Sequence, residues 1–240
     1  MRVEILGVAF DNMTMDEAVD RAVELMAQPA PHLVVTPNAE IVQMAGKDPE
    51  LARIIAGADL VIPDGVGVIY ASKILGRPLK GRVPGVDFAS ALMDRMAADG
   101  KNLFLLGAKP GVAEEAARRL SAAHPGLVVC GTHDGYFTED EPVAAAIRES
   151  GADAVFVCLG APKQEKWINK NGAATGAKLL VGLGGSLDVF AGRVERAPEA
   201  WQKVGMEWLY RALKEPTRLK RVAKLPLFLC SAVGARIKGK

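Results

Sequence analysis

Short apolar runs recur along the chain, each followed by a stretch in which apolar residues return every third or fourth position. The runs VEIL (3–6), HLVV (32–35), DLVI (59–62), NLFLLG (102–107), GLVVC (126–130), DAVFVCLG (153–160) and KLLVGLG (178–184) have the length of strands. Several are nearly unbroken Val, Leu and Ile, as expected of strands covered on both faces. The segments 14–27, 48–57, 65–76, 86–99, 110–123, 139–150 and roughly 163–172 carry helical spacing instead. Asp48-Pro49-Glu50 is a strong helix start, with a cap, a first-turn proline and an early acid. The alternation predicts an α/β fold, Rossmann-like, with a mostly parallel sheet and helices on both faces. Sheets of this kind hold ligands beyond the carboxyl ends of their strands. The segments to search are therefore TPNAE (36–40), PDGVG (63–67), GAKPG (107–111), GYF (135–137), GAPKQEKW (160–167) and GGSLD (184–188).

Composition fits one large α/β domain or a domain with an appendage: 240 residues, 50% apolar and 24% charged. The net charge of +2 hides a division. Residues 201–240 hold ten Lys and Arg against Glu207 and Glu215, whereas the first 200 residues hold 20 basic and 26 acidic side chains. A basic tail on an acidic body suggests an anionic partner. Arg211, Lys214, Arg218 and Arg221 fall at spacings of 3, 4 and 3, with a break expected at Glu215-Pro216. Beyond them LPLFLCSAV (225–233) is flanked by basic residues, the pattern of a helix lying in an anionic membrane interface. The alternative is a C-terminal helix docked on the body with a solvated basic face. Nucleic acid fits less well, because the apolar run has no aromatic interleaving. Apolar surface left uncovered by such a tail would also permit a homo-oligomer. Three scattered cysteines, a start without a basic segment leading into an apolar core, and no apolar run of about 18 residues are expected of a cytoplasmic protein.

Asp64, in PDGVG, is the first chemical candidate. It is either a helix cap or a general base, with Gly65 and Gly67 leaving room for a substrate. Thr36 and Asn38 follow a strand. Thr36 reads as a cap with Pro37 at the first helical position, or both side chains recognise a sugar or base. The glycine loops at Gly107 and at Gly184-Gly185 expose amides that suit a diphosphate, or are simple tight turns. Gln164 and Trp167 suit a polar edge and a ring face. His32, His124 and His133 have no metal spacing and read as structural or exposed, and no Asp-x-Asp occurs, so no metal or other cofactor is expected. The missing G-x-G-x-x-G disfavours a nicotinamide-dependent oxidoreductase on the same fold.

Taken in order, TPNAE, PDGVGV, RVPGVD (82–87), LLGAKPGVAEEAA (105–117), GYF, GAPKQEKW, GLGGSLDVFAG (182–192), RAP (196–198) and EWLYRALKEPTRLKR (207–221) resemble the bacterial WecG/TagA/CpsF glycosyltransferases. The resemblance spans about residues 3–224. It implies inverting transfer of an N-acetylhexosamine, typically N-acetylmannosamine, from UDP to N-acetylglucosamine on a polyprenyl pyrophosphate, in making teichoic acid or another surface polysaccharide. It also implies Asp64 as the base, with Thr36 and Asn38 in the same pocket, Arg82 at the diphosphate or acceptor, and Gln164 at the sugar nucleotide. Arg211, Arg218 and Arg221 would close over the site and hold the lipid pyrophosphate at the inner face of the plasma membrane. A catalytic domain over 1–195 and a membrane-associating appendage over 196–240 follow from the same comparison. The tail departs from the family in being lysine-rich and aliphatic, with Lys220 and Lys224 as substitutes for arginine. A different UDP-sugar donor, or a non-catalytic nucleotide-sugar-binding protein docked at the membrane, are the other readings.

Overall fold

The computed structural model describes residues 1–29, 31–198, 201, 210 and 224–238. Its central sheet has six parallel strands: β3 (His32–Val35), β4 (Leu60–Val61), β5 (Asn102–Gly107), β6 (Val128–His133), β7 (Ala154–Cys158) and β8 (Leu179–Gly182). Their order across the sheet is β4-β3-β8-β7-β5-β6. The unbroken apolar runs form the interior strands because both faces are covered. Leu103, Leu105, Phe156 and Val181 point into one layer, and Phe104, Leu106, Val155, Val157 and Leu180 into the other.

The first layer is built by α1 (Met15–Met26), α5 (Gly85–Ala98), α6 (Val112–Ala123) and the short α9 (Ser186–Phe190). The opposite face carries α7 (Asp140–Glu149) and α8 (Lys163–Asn171) at one end. At the other end lie α2 (Ala39–Ala45), α3 (Pro49–Gly57) and α4 (Val66–Ile74). Asp48 caps α3 through the amides of Glu50 and Leu51, as the Asp-Pro-Glu start requires.

Several elements depart from the expected pattern. VEIL becomes β1 (Arg2–Ile5), outside the central sheet, and pairs antiparallel with an unanticipated β2 (Val8–Asp11). The turn between them uses positive φ at Leu6 and Gly7. Asp11 ties this hairpin to the sheet by accepting the Val61 N–H at 2.9 Å. The run at 126–130 forms its strand further along, at 128–133, on the sheet edge with Val128 half exposed.

Part of the tail packs on the body, as in the docked alternative. Residues Lys224–Ile237 form α10, which is docked rather than detached. Phe228, only 1% exposed, and Ala232 enter the cluster of Val68 and Ala71 on α4 and Leu75 at its end, and Arg236 donates to the Leu75 carbonyl at 2.8 Å. Leu227, Val233 and Ile237 face outward. No described helix is long and apolar enough to cross a membrane. Arg211, Arg218 and Arg221 lie outside the described residues.

Candidate active site

From β3 the chain passes into α2 on one face of the sheet, and from the adjacent, parallel β8 into α9 on the other. Connections diverge there, and such a point opens a crevice at the carboxyl ends of the strands. A cleft of about 480 Å³ occupies it, within the range of small-molecule sites. Thr36, Asn38, Asp64, Arg82, Gln164, Gly184 and Gly185 all line it, although 149 positions separate the first from the last.

Backbone hydrogen bonds bring the loops together. The Ile62 N–H donates to Val35 O at 2.8 Å, and the Asp64 N–H to Pro37 O at 3.3 Å, so the TPN and PDG segments run side by side. Val83 N–H donates to Pro63 O at 3.0 Å and draws Arg82 to the same rim. Gly67 lets α2 and α10 approach α4: a Cβ there would lie 3.1 Å from that of Ala39 and 2.6 Å from Leu225 of α10.

Two capping expectations need correction. The cap of α2 is Asn38, not Thr36: its Oδ1 accepts the amides of Glu40 at 2.9 Å and Ile41 at 3.1 Å. The Thr36 hydroxyl instead donates to Gly182 O at 2.9 Å, across to the end of β8. The N-cap of α4 is Gly65, at φ 83, rather than Asp64. Asp64 is half-buried one residue earlier, on the cleft wall.

Gln164 is 2% exposed; its Oε1 accepts the Gly184 N–H and its Nε2 donates to Glu165 Oε1, both at 2.9 Å. The Gly184 amide is therefore already occupied by the protein. Burial pushes the Glu165 carboxyl up, and the bond from Gln164 pulls it partly back. Gly107 does not line the cleft. It stands at φ 128, where a Cβ would meet the Cys158 carbonyl oxygen at 2.4 Å, so glycine is needed there for strand packing. Trp167 is likewise a core residue, edge-on to Phe137. The Cys158 thiol, pushed up to about 12 by burial, is no nucleophile.

One cleft residue had no assigned role in the sequence. Arg196 reaches the cleft from the segment after α9, gripped by Asp87 of α5 through contacts of 2.5 and 3.2 Å. RAP at 196–198 was the available signal, but the pairing spans 109 positions. Asp64, Arg82 and Arg196 thus line one cleft, a combination suited to deprotonating a hydroxyl beside a leaving anion. Among the described residues, no three His, Cys, Asp or Glu side chains group as metal ligands.

A family profile described as "Glycosyl transferase WecG/TagA/CpsF family" matches residues 3–240. An "N-acetylglucosaminyldiphosphoundecaprenol N-acetyl-beta-D-mannosaminyltransferase" of Bacillus spizizenii is 38% identical over 200 residues, 83% of this chain and 78% of that protein. A Staphylococcus aureus protein of the same name is 36% identical over 241 residues, 100% of this chain and 95% of its own. With the profile spanning nearly every residue and both relatives aligned over most of their length, the chain belongs to the WecG/TagA/CpsF glycosyl transferase family.

Proposed function

We propose that the protein transfers N-acetylmannosamine from UDP to N-acetylglucosamine carried on a polyprenyl diphosphate, a step of teichoic acid linkage-unit or related surface polysaccharide synthesis. The observation that carries this reading is the meeting of Asp64, Arg82 and Arg196 on one cleft at the topological switch point. The relatives' names supply the donor sugar and the acceptor.

In this reading Asp64 takes the proton of the acceptor hydroxyl as its oxygen attacks the sugar's anomeric carbon. The bond to the UDP oxygen breaks, and the diphosphate leaves with an added negative charge that the guanidinium groups meet. Attack opposite the leaving group inverts the anomeric centre, which from an α-linked sugar nucleotide gives the β linkage of the relatives' names. Thr36 and Asn38 line the same pocket as Asp64, Gln164 contacts the sugar nucleotide, and Arg211, Arg218 and Arg221 bind the lipid diphosphate.

Residues 1–195 then form the catalytic domain, joined at the cleft by Arg196 from the start of the 196–240 appendage, which associates with the membrane at the inner face of the plasma membrane. The outward Leu227, Val233 and Ile237, with Lys224 and Lys238 at the helix ends, support contact with an anionic surface. Away from lipid, the same apolar side chains would favour self-association.

The test supplies UDP-N-acetylmannosamine and a short-chain lipid diphosphate N-acetylglucosamine, in chelator, to wild type and Asp64→Asn. Disaccharide formation by wild type that falls at least ~1000-fold in the variant is expected of a lost base acting with its orientation. An unimpaired variant removes Asp64 from the mechanism, and turnover only with another UDP-sugar corrects the donor. Tight UDP binding without turnover of any donor points to a non-catalytic nucleotide-sugar-binding protein.

A further inference from the structure

Glu165 is an expensive residue to bury. It is 1% exposed, and its Oε2 has no hydrogen-bond partner among the described residues. A carboxyl placed this way is unfavourable by several kcal/mol unless something compensates. It stands third in α8, where a glutamate usually reaches back to the N–H of the capping residue. Here the capping residue is Pro162, which has no N–H. The carboxyl turns instead to the side chain of Gln164.

That contact decides which way the Gln164 amide faces. Rotation by 180° exchanges its oxygen and nitrogen, and the two orientations nearly superimpose in shape. The Gly184 N–H requires an oxygen opposite it, and the Glu165 oxygen requires the NH2 group. Both demands are met by one orientation alone. The opposite one sets two donors against each other at Gly184. The amide is also pressed onto β8, since a Cβ on Gly182 would lie 2.9 Å from its Nε2. The loop so held, Leu183 to Ser186, forms a wall of the cleft.

We propose that Glu165 is a positioning residue of the transferase: it orients the Gln164 amide, and through it fixes Gly184 and the glycine wall against which the donor binds. This rests on the cleft being the active site.

A double-mutant cycle tests it. Glu165→Ala is expected to lower kcat/KM about tenfold, the usual effect of losing one well-made buried hydrogen bond. In a Gln164→Ala background the same change should add less than about twofold, because the residues act as one unit. Glu165→Gln retains an acceptor oxygen of the same reach and should recover most of the activity. Equal losses in both backgrounds, or a Glu165→Gln variant as impaired as Glu165→Ala, overturn the proposal. Thermal stability falls under either account, so it does not discriminate.

The second readout needs no turnover. Amide hydrogen exchange of Gly184, followed by NMR, should quicken about tenfold in Glu165→Ala while Leu180 and Val155 in the sheet keep their rates. An unchanged Gly184 rate overturns the proposal even if activity is lost. A wild type inactive with every donor, but showing this Gly184 response, would remove the transferase reading and leave the orienting contact standing.

Discussion

Phe228 is the main anchor of α10, and replacing it by alanine should release that helix without unfolding the body. Its ring is 1% exposed against Val68, Ala71 and Leu75, while Ala232 is the helix's other fully buried side chain. Phe→Ala in a packed site costs about 3–5 kcal/mol, combining lost transfer energy with the cavity left behind. The other apolar contacts come from the small Ala232 and the partly buried Leu225, Leu229 and Ala235, and the polar attachments are few: Arg236 donating to Leu75 O at 2.8 Å, Gln43 to Lys224 O at 3.4 Å, and Lys224 beside Glu40 at 3.8 Å. Exposed ion pairs and hydrogen bonds of that kind contribute about 1 kcal/mol or less each. The anchor outweighs them, so opening of the helix should become easier by about 3 kcal/mol, or roughly 150-fold in its equilibrium. Hydrogen exchange with mass spectrometry reads this directly. Peptides covering 224–237 should exchange about 100-fold faster, while those covering β5, β7 and β8 keep their protection. Unchanged exchange in 224–237 would show that Phe228 does not anchor the helix. Equal acceleration across the sheet would show that α10 opens only with the whole domain, and the argument for a separately released element would fail.

Gly107→Ala should destabilise the fold by about 3 kcal/mol or more, since it adds a Cβ 2.4 Å from the Cys158 oxygen at a positive φ; a urea midpoint equal to that of wild type would contradict this. Asp87→Ala should lower kcat/KM about tenfold by loosening Arg196, with little further loss when Arg196 is already alanine. Steady-state kinetics with varied donor check it, and an additive loss would refute the coupling. Burial raises the Glu165 carboxyl above its ordinary 4.5, so the folded chain keeps a proton that the unfolded chain has released. Its contribution to stability is complete below 4.5 and declines as pH rises through the raised value. The stability of wild type relative to Glu165→Gln should therefore fall as pH rises above 4.5; a difference that does not change with pH in denaturant titrations would refute it.

The strands most legible in the sequence are those whose surroundings are simplest. β5, β7 and β8 are apolar on both faces because helices cover both, and their runs need no partner to be recognised. β2 is only VAFD, and its turn, Leu6-Gly7, lacks the usual asparagine or aspartate before glycine. α2 has seven residues and starts two positions after a proline, too short for periodicity to show. In α10 the basic flanks suggested an interfacial helix, and the docking on the body was not legible because its main anchor, Phe228, looks like its apolar neighbours in the chain.

The strand-end rule found Thr36, Asn38, Asp64, Gln164, Gly184 and Gly185 because position in an α/β sheet is encoded locally. It also collected Gly107, which ends a strand on the far side of β7. Arg196 and the orienting contact of Glu165 were hidden for opposite reasons. The first depends on a partner 109 positions away, and the second on a neighbour whose side chain would ordinarily point elsewhere.

Thr36 and Asn38 have each given one half of their hydrogen-bonding capacity to the fold. The Thr36 proton belongs to Gly182, leaving lone pairs to face a guest; the Asn38 oxygen belongs to two helix amides, leaving its NH2 group. The cleft wall therefore has a fixed polarity before any guest arrives. It welcomes a hydroxyl at position 36 and an oxygen at position 38, and cannot exchange these preferences by rotating a side chain. Asn38→Asp would preserve the cap yet turn the greeting at that position from donor to acceptor. Variation in sugar preference on this scaffold is thus channelled toward Met44, Val86 and Val189, which border the same space with no polar duty to the fold.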